Sequence, residues 1–375
     1  MAEVQIKGWC PTALRPMQSG EGMIVRIRPR MARLTPQQAR GLAAASAKYG
    51  NGLIDLSARG NIQLRGIRTG THHALLADLD ALHLIDPHES PEFHRAILVT
   101  PFWQPEDGTD ALVADLENSL AQAPDLPDKF GFAIDSGPQP VLCQTSADIR
   151  FERTGDGTLI LRPDGSPTGR IVTASTAART ALDLARWFVT SGGVQQGRGR
   201  MAAQIAAGAS LPAGFDTPAA SAAAIPGPGP HPLGFLVGFE FGQMQAETLA
   251  NLASQPLRIT PWRMVLLDGA TRAPDVPGLI TAADDPRLRV SACSGAPACP
   301  QGLQPTRPLA RRLAGRVPPG RTLHISGCAK GCAHPGPADV TLCASAAGFN
   351  LIRNGRASDP SEAGFDASSP LFKVM

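Results

Sequence analysis

This chain repeats itself, and that limits its folds more than any other feature. Leu56-Ser57-Ala58-Arg59-Gly60-Asn61-Ile62-Gln63-Leu64-Arg65-Gly66 aligns with Ile259-Thr260-Pro261-Trp262-Arg263-Met264-Val265-Leu266-Leu267-Asp268-Gly269. Each copy follows a strand-like segment and then a helix-like one. In the first copy these are MIVRIR (23–28) and TPQQARGLAAASAKYG (35–50); in the second, GFLVGFEF (234–241) and AETLANLAS (246–254). A second pair of segments matches in the same order. Ala147-Asp148-Ile149-Arg150-Phe151, then Gly157 to Leu161 and Asp164-Gly165, parallels Ala338-Asp339-Val340-Thr341-Leu342, then Gly348 to Ile352 and Asn354-Gly355. Both read as β-hairpins. Two matches in one order, about 200 residues apart, imply a duplicated unit and a pseudo-twofold molecule. A bound cofactor belongs most naturally between the two copies.

The tract AAGASLPAGFDTPAASAAAIPGPGPHP (206–232) lies between the copies and has no periodicity, so it reads as a linker. Before it, ASTAARTALDLARWFVTSGG (174–193) has helical spacing at Leu182, Ala185, Phe188 and Val189, and Gly192-Gly193 ends it. At 375 residues the chain has room for two or three domains. A net charge of +3 is too small to suggest a nucleic-acid or membrane partner, so any positive site must come from locally gathered arginines. The first residues, MAEVQIKGWCPTALRPM, hold no apolar run of signal-peptide length, and no window reaches 18 uninterrupted apolar residues. The expectation is a cytoplasmic protein whose seven cysteines are thiols or metal ligands rather than disulfides.

Four of those cysteines gather near the C-terminus as C-x5-C (Cys293, Cys299), 28 intervening residues, and C-x3-C (Cys328, Cys332). Four thiolates are what an iron–sulfur cubane needs, one for each iron. Glycine and proline in SGAPACP and SGCAKGC let the backbone wrap closely and aim amide N–H groups at sulfur. Structural zinc prefers C-x2-C to C-x4-C knuckles, which neither pair shows, and plain buried thiols are the remaining alternative. Cys143 and Cys343, scattered along the chain, read as small buried hydrophobes, while Cys10 in WCP carries no clear signal.

The first copy also carries cations. Arg59 and Arg65 flank a glycine beside Asn61 and Gln63, and His94-Arg95 and Lys129 follow. Gathered on loops at strand ends, they suit a polycarboxylate, each arginine gripping a carboxylate through paired hydrogen bonds. Taken singly, each reads more readily as solvated surface charge.

Together, C-x5-C…C-x3-C and SGCAKGC resemble the sirohaem and 4Fe–4S sulfite and nitrite reductase superfamily, over essentially the whole chain. The resemblance implies an α+β fold, an α/β sandwich with two ferredoxin-like halves and two larger α/β domains in pseudo-twofold symmetry. The expected divisions are a ferredoxin-like half at 1–75, a tetrapyrrole-binding α/β domain at 76–205, the linker at 206–232, a second half at 233–285, and a cluster-bearing domain at 286–375. It implies that Cys293, Cys299, Cys328 and Cys332 hold a 4Fe–4S cluster. It places substrate contacts at Arg59, Gln63, Arg65, Arg95 and Lys129, with Lys330 and His334 beside the cluster.

The sequence departs from the superfamily pattern in two places. LPDKFG stands for LPRKFK, so the second lysine is Gly131, and GCPNGCxR becomes GCAKGC followed by His334. With CPTALRPMQSGEGM, ACSGAPAC and LHISGCAKGCAHPGPADVTL, these departures resemble one branch, the tetrapyrrole monooxygenases of aerobic cobalamin biosynthesis. The resemblance implies O2-dependent hydroxylation of precorrin-3A at C20 with γ-lactone formation. Electrons would come from an external donor, an NADH-linked reductase or a ferredoxin-type protein. It also implies a mononuclear non-haem iron; no two-His-one-carboxylate pattern marks its ligands, and His324 and His334 are the nearest candidates. The alternatives are a sirohaem-dependent sulfite or nitrite reductase, in which sirohaem would be a cofactor, and a non-catalytic iron–sulfur electron-transfer protein. Gly131 weighs against the reductase, because that anion chemistry relies on cations. The clustered arginines weigh against the electron carrier.

Overall fold

The computed structural model describes residues 11–85 and 97–365. Cys10, His94 and Arg95 lie outside them. Four sheets organise the described residues. In the first copy the order is β1 (Met17–Ser19), β2 (Gly22–Ile27), β5 (Ile62–Ile67), β4 (Leu53–Leu56) and β14 (Gln243–Gln245). In the second it is β12 (Gly229–His231), β13 (Gly234–Gly238), β16 (Met264–Asp268), β15 (Leu257–Ile259) and β3 (Arg33–Leu34). Each sheet therefore ends in a short strand supplied by the other copy. Gln243 pairs with Asp55, and Arg33 pairs with Arg258.

The exchange follows from how these segments bury themselves. In β2, Met23, Val25 and Ile27 are buried and alternate with residues on the opposite face, the period of a half-buried strand. α1 (Pro36–Tyr49) starts at a capping box, Thr35 accepting from Gln38 N while the Gln38 side chain accepts from Thr35 N, with Pro36 at its first position. α1 packs on α6 (Ala246–Leu252), and α2 (His72–Ala81) packs on α1. One core results, running from Val25, Leu42 and Leu64 of the first copy to Val237, Leu249 and Leu257 of the second. Burying each such side chain contributes about 1.5–3 kcal/mol, and neither copy buries its share alone.

Before each exchanged strand the chain makes the same turn. Met31 and Phe241 both adopt left-handed backbone, φ 56° and 57°. The strand expected through Phe241 thus ends at Gly238, because the chain must cross to the other copy there. Such a conformation costs a bulky residue about 1–3 kcal/mol. Burial offsets it, Met31 in the core of one α/β domain and Phe241 in that of the other.

Those two domains share a mixed-sheet plan. The first holds β11 (Thr217–Pro218), β10 (Thr168–Ile171), β9 (Leu159–Pro163), β8 (Ile149–Arg153), β7 (Phe132–Ile134) and β6 (Ile97–Val99), with α3 (Thr109–Ser119) and α4 (Ala174–Thr190) in its core. The second holds β17 (Val290–Ala292), β18 (Leu323–Ser326), β19 (Ala338–Ser345), β20 (Gly348–Gly355) and β21 (Ala363–Gly364), with α7 (Arg307–Ala314). β6, β7 and β8 run parallel, as do β17, β18 and β19, and each set ends in the repeated hairpin. The middle strands are buried on both faces, as parallel strands are. The Ala/Pro/Gly-rich tract after α5 (Met201–Ala206) is pinned twice, by β11 on β10 and by β12 on β13.

Candidate active site

A cleft between the copies encloses about 980 Å³ of empty space, part of it open to solvent. The first copy contributes β2, β4 and the β4–β5 loop; the second contributes the turn at Phe241, the β15–β16 loop and the two cysteine loops. Cations line it from both sides: Arg26 and Arg59 from the first copy, Arg263 and Arg307 from the second.

On the first wall, the Gln63 amide oxygen accepts from Arg26 Nε and Nη2, at 3.3 and 2.9 Å, in the amide orientation that satisfies both groups. Arg26 Nη1 is buried and has no partner. Arg59 Nη2 donates to Ser146 Oγ at 3.0 Å. Arg65, expected at the site, does not line it. It is 5% exposed, and its guanidinium is committed to Asp55 Oδ2 at 2.9 Å, with Glu21 at 3.8 Å. Lys129 is half-buried and also stands off the cleft; its neighbours Asp128, Phe130 and Gly131 line a smaller cavity that shares Arg59. Gly131 N donates to Asp148 Oδ2 at 3.0 Å.

On the second wall, Arg263 sits at φ 62° and its Nη2 donates to Ala333 O at 2.7 Å, tying the β15–β16 loop to the residue after Cys332. Gly242 gives it room, since a Cβ there would come within 2.8 Å of the Arg263 side chain. Arg307 opens α7 with a buried, unpartnered Nε and with Nη2 3.8 Å from Asp55 Oδ1. Burial pulls the pKa of both Arg263 and Arg307 down, and neighbouring arginines lower each of them further. Sequence reasoning missed Arg26, Arg263, Arg307 and Asp55. Arg26 looks like an ordinary outward residue of an alternating strand, and the other two arginines lie far from the first copy in the chain.

Cys293 and Cys332 line the cleft; Cys299 and Cys328 are half-buried and do not. The loops that carry them interlock through glycine. A Cβ on Gly327 would lie 3.1 Å from Gly295 Cα and 3.4 Å from both Cys293 Sγ and Gly302 Cα, and a Cβ on Gly302 would come within 2.5 Å of Ala296 N. Gly327 N donates to Cys293 Sγ at 3.1 Å. The Cys332 thiol is pushed up, first by the desolvating loops around its sulfur. Lys330 opposes that shift, while the sulfurs of Cys328, Cys293 and Cys299 add to it, so each of those three stands within electrostatic reach of Cys332. Four soft donors, glycine-cradled, with an amide already aimed at sulfur, fit a 4Fe–4S cluster. Each iron of a cubane takes one thiolate, so its ligands stand farther apart than those of a single ion.

A mononuclear iron does not fit in the same way. Among the described residues no group of three or more His, Cys, Asp or Glu side chains is placed to hold one ion. His334 Nε2 lies 3.0 Å from Pro337 O, and its ring meets that of His324 edge-on at 5.7 Å. His324 is fully buried, neither ring nitrogen has a partner, and burial lowers its pKa to about 4. Cys343 is buried as expected. Cys143 is only half-buried, with its Sγ 3.9 Å from Glu152 Oε1, and burial, with Glu152 adding to it, pushes the thiol up.

The duplicated halves, the paired α/β domains and the cysteine-bearing cleft define a nitrite/sulfite reductase-like protein. Residues 15–82 match the model of the nitrite/sulfite reductase ferredoxin-like half domain. The structure of the Mycobacterium tuberculosis NirA protein is similar, with a TM-score of 0.59 at 19% identity, covering 92% of this chain and 76% of that one. A precorrin-3B synthase from a Sinorhizobium species is 30% identical over 391 residues, 94% of this chain and 84% of the relative. The chain belongs to the precorrin-3B synthase family. No helix among the described residues is long and apolar enough to cross a membrane.

Proposed function

We propose that the protein is a cytoplasmic tetrapyrrole monooxygenase that converts precorrin-3A to precorrin-3B in aerobic cobalamin biosynthesis. The observation that carries this reading is the cleft itself, where two cysteines of the C-x5-C and C-x3-C pairs face arginines from both copies. A macrocycle edged with acetate and propionate arms needs such a rim of guanidiniums, each able to hold a carboxylate through paired N–H groups. Leu56, Phe241 and Ala292 give the same cleft the apolar surface that the ring faces need.

In this reading Cys293, Cys299, Cys328 and Cys332 hold a 4Fe–4S cluster, which when bound supplies single electrons from an external donor. The overall reaction places one oxygen atom of O2 at C20 and releases the other as water, with two electrons and two protons consumed. The lactone closes when the ring A acetate oxygen bonds to the ring carbon next to C20 while that carbon's π bond opens and the carboxyl proton is taken up, so closure needs no further electrons and leaves the mass unchanged. The arginines hold the arms, and the one that holds the ring A acetate also fixes the group that closes the lactone. Lys330, exposed beside Cys332, places a positive charge next to the cluster and favours its reduced form.

The test is to purify the protein without air, extract it with acid acetone, and then supply precorrin-3A, O2 and a reductant. The expected result is an iron–sulfur spectrum, no extractable sirohaem, and a product heavier by one oxygen. Stoichiometric sirohaem, with reduction of sulfite or nitrite and no oxygenated product, would replace this reading with a reductase.

A further inference from the structure

The two copies carry the same buried ion pair with its charges exchanged. In the first, Asp55 on β4 pairs with Arg65 on β5 at 2.9 Å. At the equivalent positions of the second, Arg258 on β15 pairs with Asp268 on β16 at 2.6 Å. The strand registers are identical, Leu56 opposite Ile62 and Ile259 opposite Val265. The residue on β4 or β15, the strand beside the exchanged one, reaches the other copy in both cases, and its charge decides what it can hold.

Arg258 donates to the carbonyls of Pro101 and Trp103, and its guanidinium lies 4.7 Å from the Trp103 ring centroid. It thus draws the loop after β6 onto the second copy. A carboxylate cannot donate to carbonyls. Asp55 instead accepts from Gln243 Nε2 at 2.7 Å on the Oδ1 atom that faces Arg307 Nη2 at 3.8 Å. Its loop is left to carry cysteines and an open cleft. Arg307, stacked 5.9 Å from the Phe241 ring and with its Nε unpartnered, is held with N–H groups still to satisfy. A buried donor left without an acceptor is costly, so a ligand that supplies one gains accordingly.

We propose that Arg307 is the carboxylate anchor on the cysteine side of the cleft and that Asp55, through the polarity of its pair with Arg65, is the residue that positions it. The inference rests on the polycarboxylate tetrapyrrole reading and names which groups take a carboxylate. The first-copy wall then grips one edge of the macrocycle and Arg307 the other, which sets the ring across the mouth of the cysteine loops.

The experiment is binding of uroporphyrin, an octacarboxylate tetrapyrrole, to the full-length protein by fluorescence quenching, with thermal unfolding alongside. Arg307→Gln is expected to weaken binding about tenfold or more, the loss typical of one charge-assisted carboxylate contact, and Arg307→Lys to recover part of it. The double exchange Asp55→Arg with Arg65→Asp rebuilds in the first copy the pair that the second already holds. It is expected to keep the unfolding temperature near that of the parent while weakening uroporphyrin about as much as Arg307→Gln does. The inference fails if Arg307→Gln binds within about twofold of the parent, a difference worth only a few tenths of a kcal/mol. It fails too if a folded double exchange binds normally. Should the exchange not fold, Asp55→Asn, which keeps the shape and removes the charge, replaces it under the same criterion. A parent protein that binds no uroporphyrin overturns the tetrapyrrole reading itself, whatever the variants do.

Discussion

Arg59 and Trp262 occupy one position of the repeat, and around them the molecule has built opposite things. Arg59 faces a polar cleft beside Arg26 and Gln63. Trp262 packs against apolar Leu98, Ala133, Leu142 and Ala147 on one side and Leu236, Met264 and Leu266 on the other. Sheet register makes the equivalence strict: Arg26 lies opposite Gln63 where Leu236 lies opposite Leu266. Phe102 completes the filling, stacked 4.4 Å from His231 and 5.8 Å from Trp262. The loop ends follow suit. Cys293 follows β17 where Thr100 follows β6, since Ala292 is in register with Ile325 and Val99 with Ile134. One duplicated scaffold thus holds an open, cationic, thiol-lined site and an apolar filled counterpart. Duplication supplies two sites, and side-chain polarity alone decides which one a ligand can enter.

The comparison breaks most decisively at the cysteines. Cys293→Ser should abolish the cluster, with iron and acid-labile sulfide falling close to zero, while Thr100→Ser at the equivalent position leaves both unchanged. Iron and sulfide assays on anaerobically purified proteins read this directly. A Cys293→Ser protein that keeps its full complement of both would remove the cluster from the cleft.

The next contrast concerns stability. Trp262→Ala empties a packed aromatic site and should cost about 3 kcal/mol, the lower end for burying and then deleting so large a ring. Arg59→Ala at the same repeat position removes the exposed hydrogen bond to Ser146 and should cost less than about 1 kcal/mol. Urea unfolding of both variants beside the parent decides it. Equal losses would mean that the two positions are packed alike and that the open and filled sites do not differ as their side chains suggest.

Much of this was legible in the sequence because it rests on local pattern. Aligning the copies is enough to place Arg59 against Trp262, and the two glycine-rich cysteine pairs stand out in the chain by their spacing. The same alignment sets Asp268 against Arg65 and Arg258 against Asp55, so the reversed pair was visible too, though only its partners in space give it meaning. The strand exchange was not legible: β3 and β14 are two and three residues long, too short for alternation to show. The β-hairpin match was legible only in part. Phe151 pairs with Leu161, yet Leu342 pairs with Leu351, one residue short of the aligned Ile352. The tighter turn at Ser345–Gly348 takes up that residue, and a slip of one turns the return strand over.

The last contrast concerns the loop that fills the closed site. Asp135 follows β7 where Ser326 ends β18, and its Oδ2 accepts from Val141 N and Leu142 N, both at 2.6 Å, folding the loop back on itself. Oδ1 is buried without a partner, and burial lifts the carboxyl to about 6 despite those two bonds, with Glu152 adding to the rise. Because the folded state binds this proton more tightly than the unfolded one, protonation stabilises the fold. That contribution is full below the ordinary carboxyl value of 3.8, is lost as pH rises toward 6, and stays lost above it. Asp135→Asn has no proton to lose. Relative to the parent it should therefore gain on the order of 2 kcal/mol between pH 4 and pH 7, one pKa unit being worth about 1.4 kcal/mol. Taking the difference between variant and parent at each pH cancels the other titrating groups. A difference that stays flat across that interval would show that the carboxylate is well solvated or fully paired.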